Sequence, residues 1–312
     1  MKKILTGLLL VIAAFLLYIT VFRKSEIVSS EYIRSRYALP YSHFMDWKGV
    51  KIYYTDRGTG TPVIMIHGLG GSSYDFAALD SLMHDQYRLI RIDLPGFGLS
   101  DFPNTEEKDP DFSRIYQQCF QTLIDTLKID SFYVMGNSMG GMMAWDLAVL
   151  YPQQVKKLVL LSSAGYDMQE VQARVTKVMR HQWLNVLLRK GIPEWLIKSR
   201  LKYIFYNQNI FTEQKVARTH DFWNKEGGMK VIMELAVSQK YLDTALIKQV
   251  QCPTLILWGK QDHLVPPEYA YRFHRDIKNS SLIVYDSCGH APMIERPLDV
   301  KRDVEAFFKS AN

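Results

Sequence analysis

Cysteine is scarce: Cys119, Cys252 and Cys288 are the only three in 312 residues. They cannot all pair, and none sits in the close doublets of zinc sites or redox pairs, so disulfides and cysteine-held metals do not build this fold. A large charge excess is also lacking, since 38 lysines and arginines against 32 acids leave +6. That is too small for a nucleic-acid-binding protein unless it is concentrated in one stripe. With 47% hydrophobic, 12% aromatic and 22% charged residues, the composition excludes disorder and fibrous repeats. What remains is a packed unit the size of one large or two ordinary domains.

One long apolar run is present. Residues 4–22 carry no charge and lie between Lys2-Lys3 and Arg23-Lys24. As a helix this run reaches about 28 Å, close to the roughly 30 Å hydrocarbon thickness of a bilayer. Residues 1–24 are therefore expected to form a single-pass membrane anchor, with the rest of the chain outside the cytosol. The alternative is a signal peptide, cleaved to give a secreted protein. Residues 25–46 read as a polar and aromatic connector.

Further on, short apolar runs such as VIMI, LVLLS and TLILW alternate with helix-length segments. They are near-continuous rather than alternating, as expected for parallel strands covered by helices on both faces. Residues 165–250 break the pattern: no strong strand run occurs, and Val171, Val175, Val178 and Val186 recur at helical spacing. The expected organisation is a core in two parts, residues 47–164 and 251–312, with a helical cap at 165–250 between them. Pro297 suits the first turn of a last helix.

The run from Phe132 to Trp145 passes from strand-like to helix-like sequence through Gly136-Asn137-Ser138-Met139-Gly140. A serine on a sharp strand-to-helix turn has crowded neighbours, and glycines at 136 and 140 remove the side chains that would clash. The turn exposes the hydroxyl and sets the Met139 N–H at a helix start, where it can donate to an oxyanion. Such a serine needs a base and an acid, on loops at the carboxyl ends of later strands. Two loops qualify. One follows Leu255-Ile256-Leu257-Trp258 and carries Asp262; the other follows Leu282-Ile283-Val284-Tyr285 and carries His290. Of the other histidines, only His67 follows a strong buried strand, and its side chain is read as bonding its own glycine loop. In that loop, Leu69 is the expected source of a second oxyanion N–H.

The segments HGLGG, DLPGFGLSD, GNSMGG, WGKQD and CGHAPMIERP, in this order and spacing, resemble the alpha/beta-hydrolase superfamily. The resemblance covers roughly residues 47–162 and 252–308, and its last two motifs look most like membrane-anchored monoacylglycerol lipases and small bacterial lipases and esterases. It implies an α/β fold: an eight-stranded, mostly parallel sheet with helices on both faces and an inserted cap. It also implies a triad of Ser138, Asp262 and His290, and no cofactor. Serine at 138 argues against the dehalogenases and epoxide hydrolases, which use an aspartate nucleophile. Carboxylic ester hydrolysis on lipid-like substrates is the expected function. The same triad also serves thioesters or a carbon–carbon bond beside a ketone, and a non-catalytic receptor would not need all three groups. Residues 165–250 contain Trp183, Trp195 and Trp223, and their 14 lysines and arginines against 8 acids account for the chain's whole +6. The expected partners are a small hydrophobic ester and a membrane, reached through residues 4–22 and through this basic cap. No nucleic acid is expected.

Overall fold

The computed structural model describes residues 27–103, 110–166, 191–237 and 242–310. The apolar run 4–22 lies outside them, and among the described residues no helix is long and apolar enough to cross a membrane. Eight strands form one sheet: β1 (Ser42–Trp47), β2 (Val50–Arg57), β3 (Pro62–Ile66), β4 (Arg88–Ile92), β5 (Phe132–Asn137), β6 (Val155–Leu161), β7 (Thr254–Gly259) and β8 (Ser280–Tyr285). Their order is β1-β2-β4-β3-β5-β6-β7-β8. Strand β2 runs antiparallel to β1 and β4, and all other pairings are parallel.

Alternate residues of each central strand enter different cores. Ile64, Ile66, Val134, Leu158 and Ile256 face one layer with α3 (Phe112–Leu127) and α4 (Met139–Leu150). Val63, Met65, Met135, Val159 and Leu255 face the other, with α2 (Ala77–Met83) and α10 (Pro297–Lys309). Because both faces are covered, consecutive positions along the middle of these strands are apolar, which is why the sequence runs are near-continuous.

The stretch read as a connector is folded. Helix α1 (Ser30–Tyr37) is capped by Ser29, whose hydroxyl accepts the Tyr32 N–H at 3.1 Å. It buries Ile33 completely, and its Tyr37 hydroxyl donates to Asp221 at 2.7 Å. Strand β1 then turns into β2 through Lys48 and Gly49, with φ of 50° and 78°. Positive φ at both central residues is the requirement of a type I′ hairpin turn. A helix with one fully buried residue and an edge strand with mostly open faces show little hydrophobic periodicity, so this region is quiet in the sequence.

In the cap, α5 (Glu194–Ile204), α6 (Glu213–Trp223) and α7 (Gly228–Val237) are helical, and the described residues from 191 to 250 include no strand. The cap's positive charge is not all at the surface. Lys225 is buried and donates to the carbonyls of Gly98, at 3.1 Å, and Ser100. Burial pushes its pKa down to about 8. Helix α8 (Glu268–Asp276) lies between β7 and β8, and after β8 the short α9 (Pro292–Glu295) leads into α10, which Pro297 opens.

Asp146 on α4 is buried, and among the described residues its carboxylate accepts one hydrogen bond, from Gln117 at 2.7 Å. Burial raises its pKa from 3.8 to about 6. The folded state therefore holds this proton more tightly than the unfolded chain, and stability falls as pH rises from about 4 through about 6, by up to roughly 3 kcal/mol. Asp146→Asn is expected to be more stable than the parent at pH 7 to 8 by about 1–3 kcal/mol and to converge with it near pH 4. Urea midpoints across that range check this; a constant difference would contradict it.

Candidate active site

Strands β3, β5, β7 and β8 are parallel, so their carboxyl ends lie along one edge of the sheet, and every candidate residue sits on a loop there. At the end of β5, Ser138 has φ 54° and ψ −119°, a conformation that costs a non-glycine residue on the order of 1–3 kcal/mol. Its neighbours make the turn sterically possible. A methyl on Gly136 would lie 2.1 Å from the Gly140 carbonyl oxygen, and one on Gly140 would lie 2.2 Å from that of Ile66. The backbone of Ser138 is held at both ends: its N–H donates to Leu161 O at 3.0 Å, and its carbonyl accepts from Met142 and Ala164 at 3.0 and 2.9 Å. The side chain of Ser138 is half-buried.

Asp262 and His290 come from the loops after β7 and β8 and meet, His290 Nδ1 lying 2.8 Å from Asp262 Oδ2. Both are buried, with Asp262 4% and His290 6% exposed. The other oxygen, Oδ1, accepts the N–H groups of Leu264 and Val265, both at 2.9 Å. With Asp262 accepting, His290 Nδ1 carries the proton and Nε2 is the atom left free to take one. The two loops approach too closely for side chains at the crossing, since a methyl on Gly259 would lie 2.0 Å from Gly289 O.

Asn137, to which no sequence motif drew attention, ties these parts together. Its Nδ2 donates to His290 O and to Leu161 O, both at 3.0 Å, so the residue beside Ser138 holds the backbone of the histidine. Asn137 is 5% exposed. A buried side-chain amide takes polar partners, here two backbone carbonyls of segments remote in sequence.

The loop after β3 lies against Ser138, with a methyl on Gly68 predicted 3.1 Å from Ser138 Cβ. Gly68 O accepts the Gly71 N–H at 3.0 Å, and Gly70 has φ 73°, so Leu69 and Gly70 form the middle of a tight turn. The Leu69 side chain is 50% exposed. Among the described residues, the N–H groups of Leu69 and Met139 donate to no protein acceptor. His67 belongs to the loop. Its Nε2 accepts the Leu94 N–H at 3.0 Å, and its Nδ1 therefore donates to Gly68 O at 2.7 Å. The cap reaches this loop as well, through Trp223 Nε1 donating to Gly70 O at 2.6 Å. Among the described residues, no group of three or more His, Cys, Asp or Glu side chains is placed to hold a metal ion.

A strained serine at a strand-to-helix turn, beside a buried His–Asp pair on the same edge of a mostly parallel sheet, is the arrangement of a hydrolase. Residues 61–297 match the family model described as alpha/beta hydrolase fold, and the chain belongs to that family. It is 28% identical over 274 residues to Lipase 1 of Psychrobacter immobilis, covering 84% of this chain and 81% of that one. It is 29% identical over 273 residues to the 2-hydroxy-6-oxo-6-(2'-aminophenyl)hexa-2,4-dienoic acid hydrolase of Metapseudomonas resinovorans, covering 82% of this chain and 87% of that one. Among solved structures, the meta-cleavage product hydrolase of Pseudomonas fluorescens IP01 superposes with a TM-score of 0.74 at 25% identity, covering 86% of this chain and 98% of that one.

Proposed function

We propose that the protein is a serine hydrolase of carboxylic esters with a lipid-like acyl group, and that Ser138, His290 and Asp262 form its triad. The single observation that carries this reading is the buried 2.8 Å His290–Asp262 pair beside the Ser138 turn. In this mechanism His290 Nε2 takes the Ser138 proton as Oγ bonds to the ester carbonyl carbon, while Asp262 stabilises the imidazolium. The oxyanion is met by the N–H groups of Met139 and Leu69. The alcohol leaves with the proton from His290, and a water, deprotonated in turn by His290, releases the acid and restores Ser138. The similarity to hydrolases of oxo-dienoic acids supports a second reading, cleavage of a carbon–carbon bond beside a ketone.

A lipid surface is the partner that α5 suits. Its own Ile197 and Leu201 are buried, while Trp195 is 70%, Leu196 42% and Tyr203 51% exposed. At 100° per residue, Trp195, Ser199 and Tyr203 share the outer stripe, with Lys198 and Lys202 on one flank and Arg200 on the other. Exposed aromatics between basic residues suit the headgroup region of an anionic membrane.

Ser138→Ala is expected to remove ester turnover and fluorophosphonate labelling while the circular dichroism spectrum stays unchanged. Persistent labelling of this variant would refute the nucleophile. A series of p-nitrophenyl esters of rising chain length, beside acyl-thioesters, monoacylglycerols and an oxo-dienoic acid, separates the two readings. For the surface, each lysine near an anionic membrane contributes about 1 kcal/mol, or roughly five-fold. Lys198→Gln with Lys202→Gln should therefore slow hydrolysis of monoacylglycerol in phosphatidylglycerol vesicles several-fold and leave hydrolysis of a water-soluble acetate unchanged. Equal slowing on phosphatidylcholine vesicles would refute the charged contact.

A further inference from the structure

The loop that carries His290 is tied to the cap by one buried carboxylate. Glu295, at the end of α9, is 8% exposed. Its Oε1 accepts the Gly289 N–H at 2.8 Å, and its Oε2 accepts those of Tyr206 and Asn207 at 2.8 and 2.9 Å. One oxygen thus serves the residue immediately before His290, and the other serves the chain just beyond α5. The same two segments also bond directly, the His290 N–H donating to Ile204 O at 3.0 Å. They are in close contact: a methyl on Gly289 would lie 2.7 Å from Ile204 O and 2.8 Å from Tyr206 N.

Among the described residues no cation is paired with Glu295, and its partners are all backbone N–H groups. A buried carboxylate carries a desolvation penalty of several kcal/mol, offset here mainly by charge-assisted bonds, with Lys215 adding an electrostatic attraction. An apolar residue would fill the space without that penalty but would leave three backbone donors, that of Gly289 buried, without acceptors. What the carboxylate adds is a fixed distance between two segments remote in sequence. On the far side, Asn137 holds the His290 carbonyl at 3.0 Å. The histidine backbone is therefore clamped between the nucleophile turn and the cap.

We infer that Glu295 is a positioning residue that sets the base against Ser138 through the cap, so that a shift of the cap is a shift of His290. This rests on the reading of His290 as the base. A misplacement of about 1 Å at a reacting group can cost on the order of 100-fold in rate.

The test uses Glu295→Gln and Gly289→Ala in the full chain, measured well below each variant's melting midpoint. Glu295→Gln keeps the shape but turns one acceptor into a donor, so either Gly289 or the cap segment loses its partner. Gly289→Ala wedges the same contact apart and leaves the carboxylate intact. Asn207→Pro, compatible with a φ of −81° at that residue, deletes one backbone donor to Glu295 along with the Asn207 side-chain cap on the Asn209 N–H, and serves if the others fail to fold. The expected result is a fall in kcat of about 10-fold or more for Glu295→Gln and Gly289→Ala, a few-fold for Asn207→Pro, and KM for a short p-nitrophenyl ester within about two-fold of the parent. The rate of fluorophosphonate labelling of Ser138 should fall by the same factor as kcat. A lower melting midpoint with kcat and labelling rate unchanged would overturn the inference, as would a rise in KM at constant kcat. If the parent labels but hydrolyses none of the esters, the ester reading fails while labelling still reports on Glu295.

Discussion

The site depends on one steric constraint, a non-glycine residue held at φ 54° where β5 ends and α4 begins. Nothing in a serine favours that conformation; the surroundings impose it. The carbonyls of Gly140 and Ile66 leave no room for side chains at Gly136 and Gly140, so the strand, the helix and β3 close around the turn at backbone distance. Three backbone hydrogen bonds then fix Ser138 to β6, to α4 and to the segment after β6. The hydroxyl is presented at the sheet edge because the backbone has no other place to go.

Around that turn, the cap is bonded to the loops after β3, β4 and β8. Trp223 bonds the Gly70 carbonyl, Lys225 fills the 97–100 turn, and the chain after α5 bonds Gly289 and His290. Helix α1 joins the same assembly through Tyr37 and Asp221. The described part of the cap is thus integrated with the core rather than laid over it. This gives its basic composition a divided meaning: Lys225 is an internal ligand of carbonyls, whereas Lys198 and Lys202 are exposed beside Trp195.

The central strands were legible because burial on both faces makes each one a continuous apolar run. The loops with Ser138, Asp262 and His290 were legible because the parallel sheet directs its carboxyl ends to one edge. Helix α1 and strand β1 were not, since Ile33 is the helix's one fully buried residue and β1 is an open edge. Asn137 and Glu295 were silent for a different reason. Their partners are backbone atoms of remote segments, and a backbone partner leaves no mark in the sequence. Lys225 shows the same limit in the charge pattern, where a buried lysine and a solvated one look alike.

The proposed role of Ser138 is that of a covalent nucleophile, and trapping the intermediate tests it most directly. The full chain is mixed with p-nitrophenyl butyrate, quenched in acid within the first turnover, and digested for mass spectrometry. A butyryl group on the peptide containing Ser138, at near one per active molecule, is the predicted result. Continued release of p-nitrophenol with that peptide unmodified, or with the butyryl group on another residue, would contradict it.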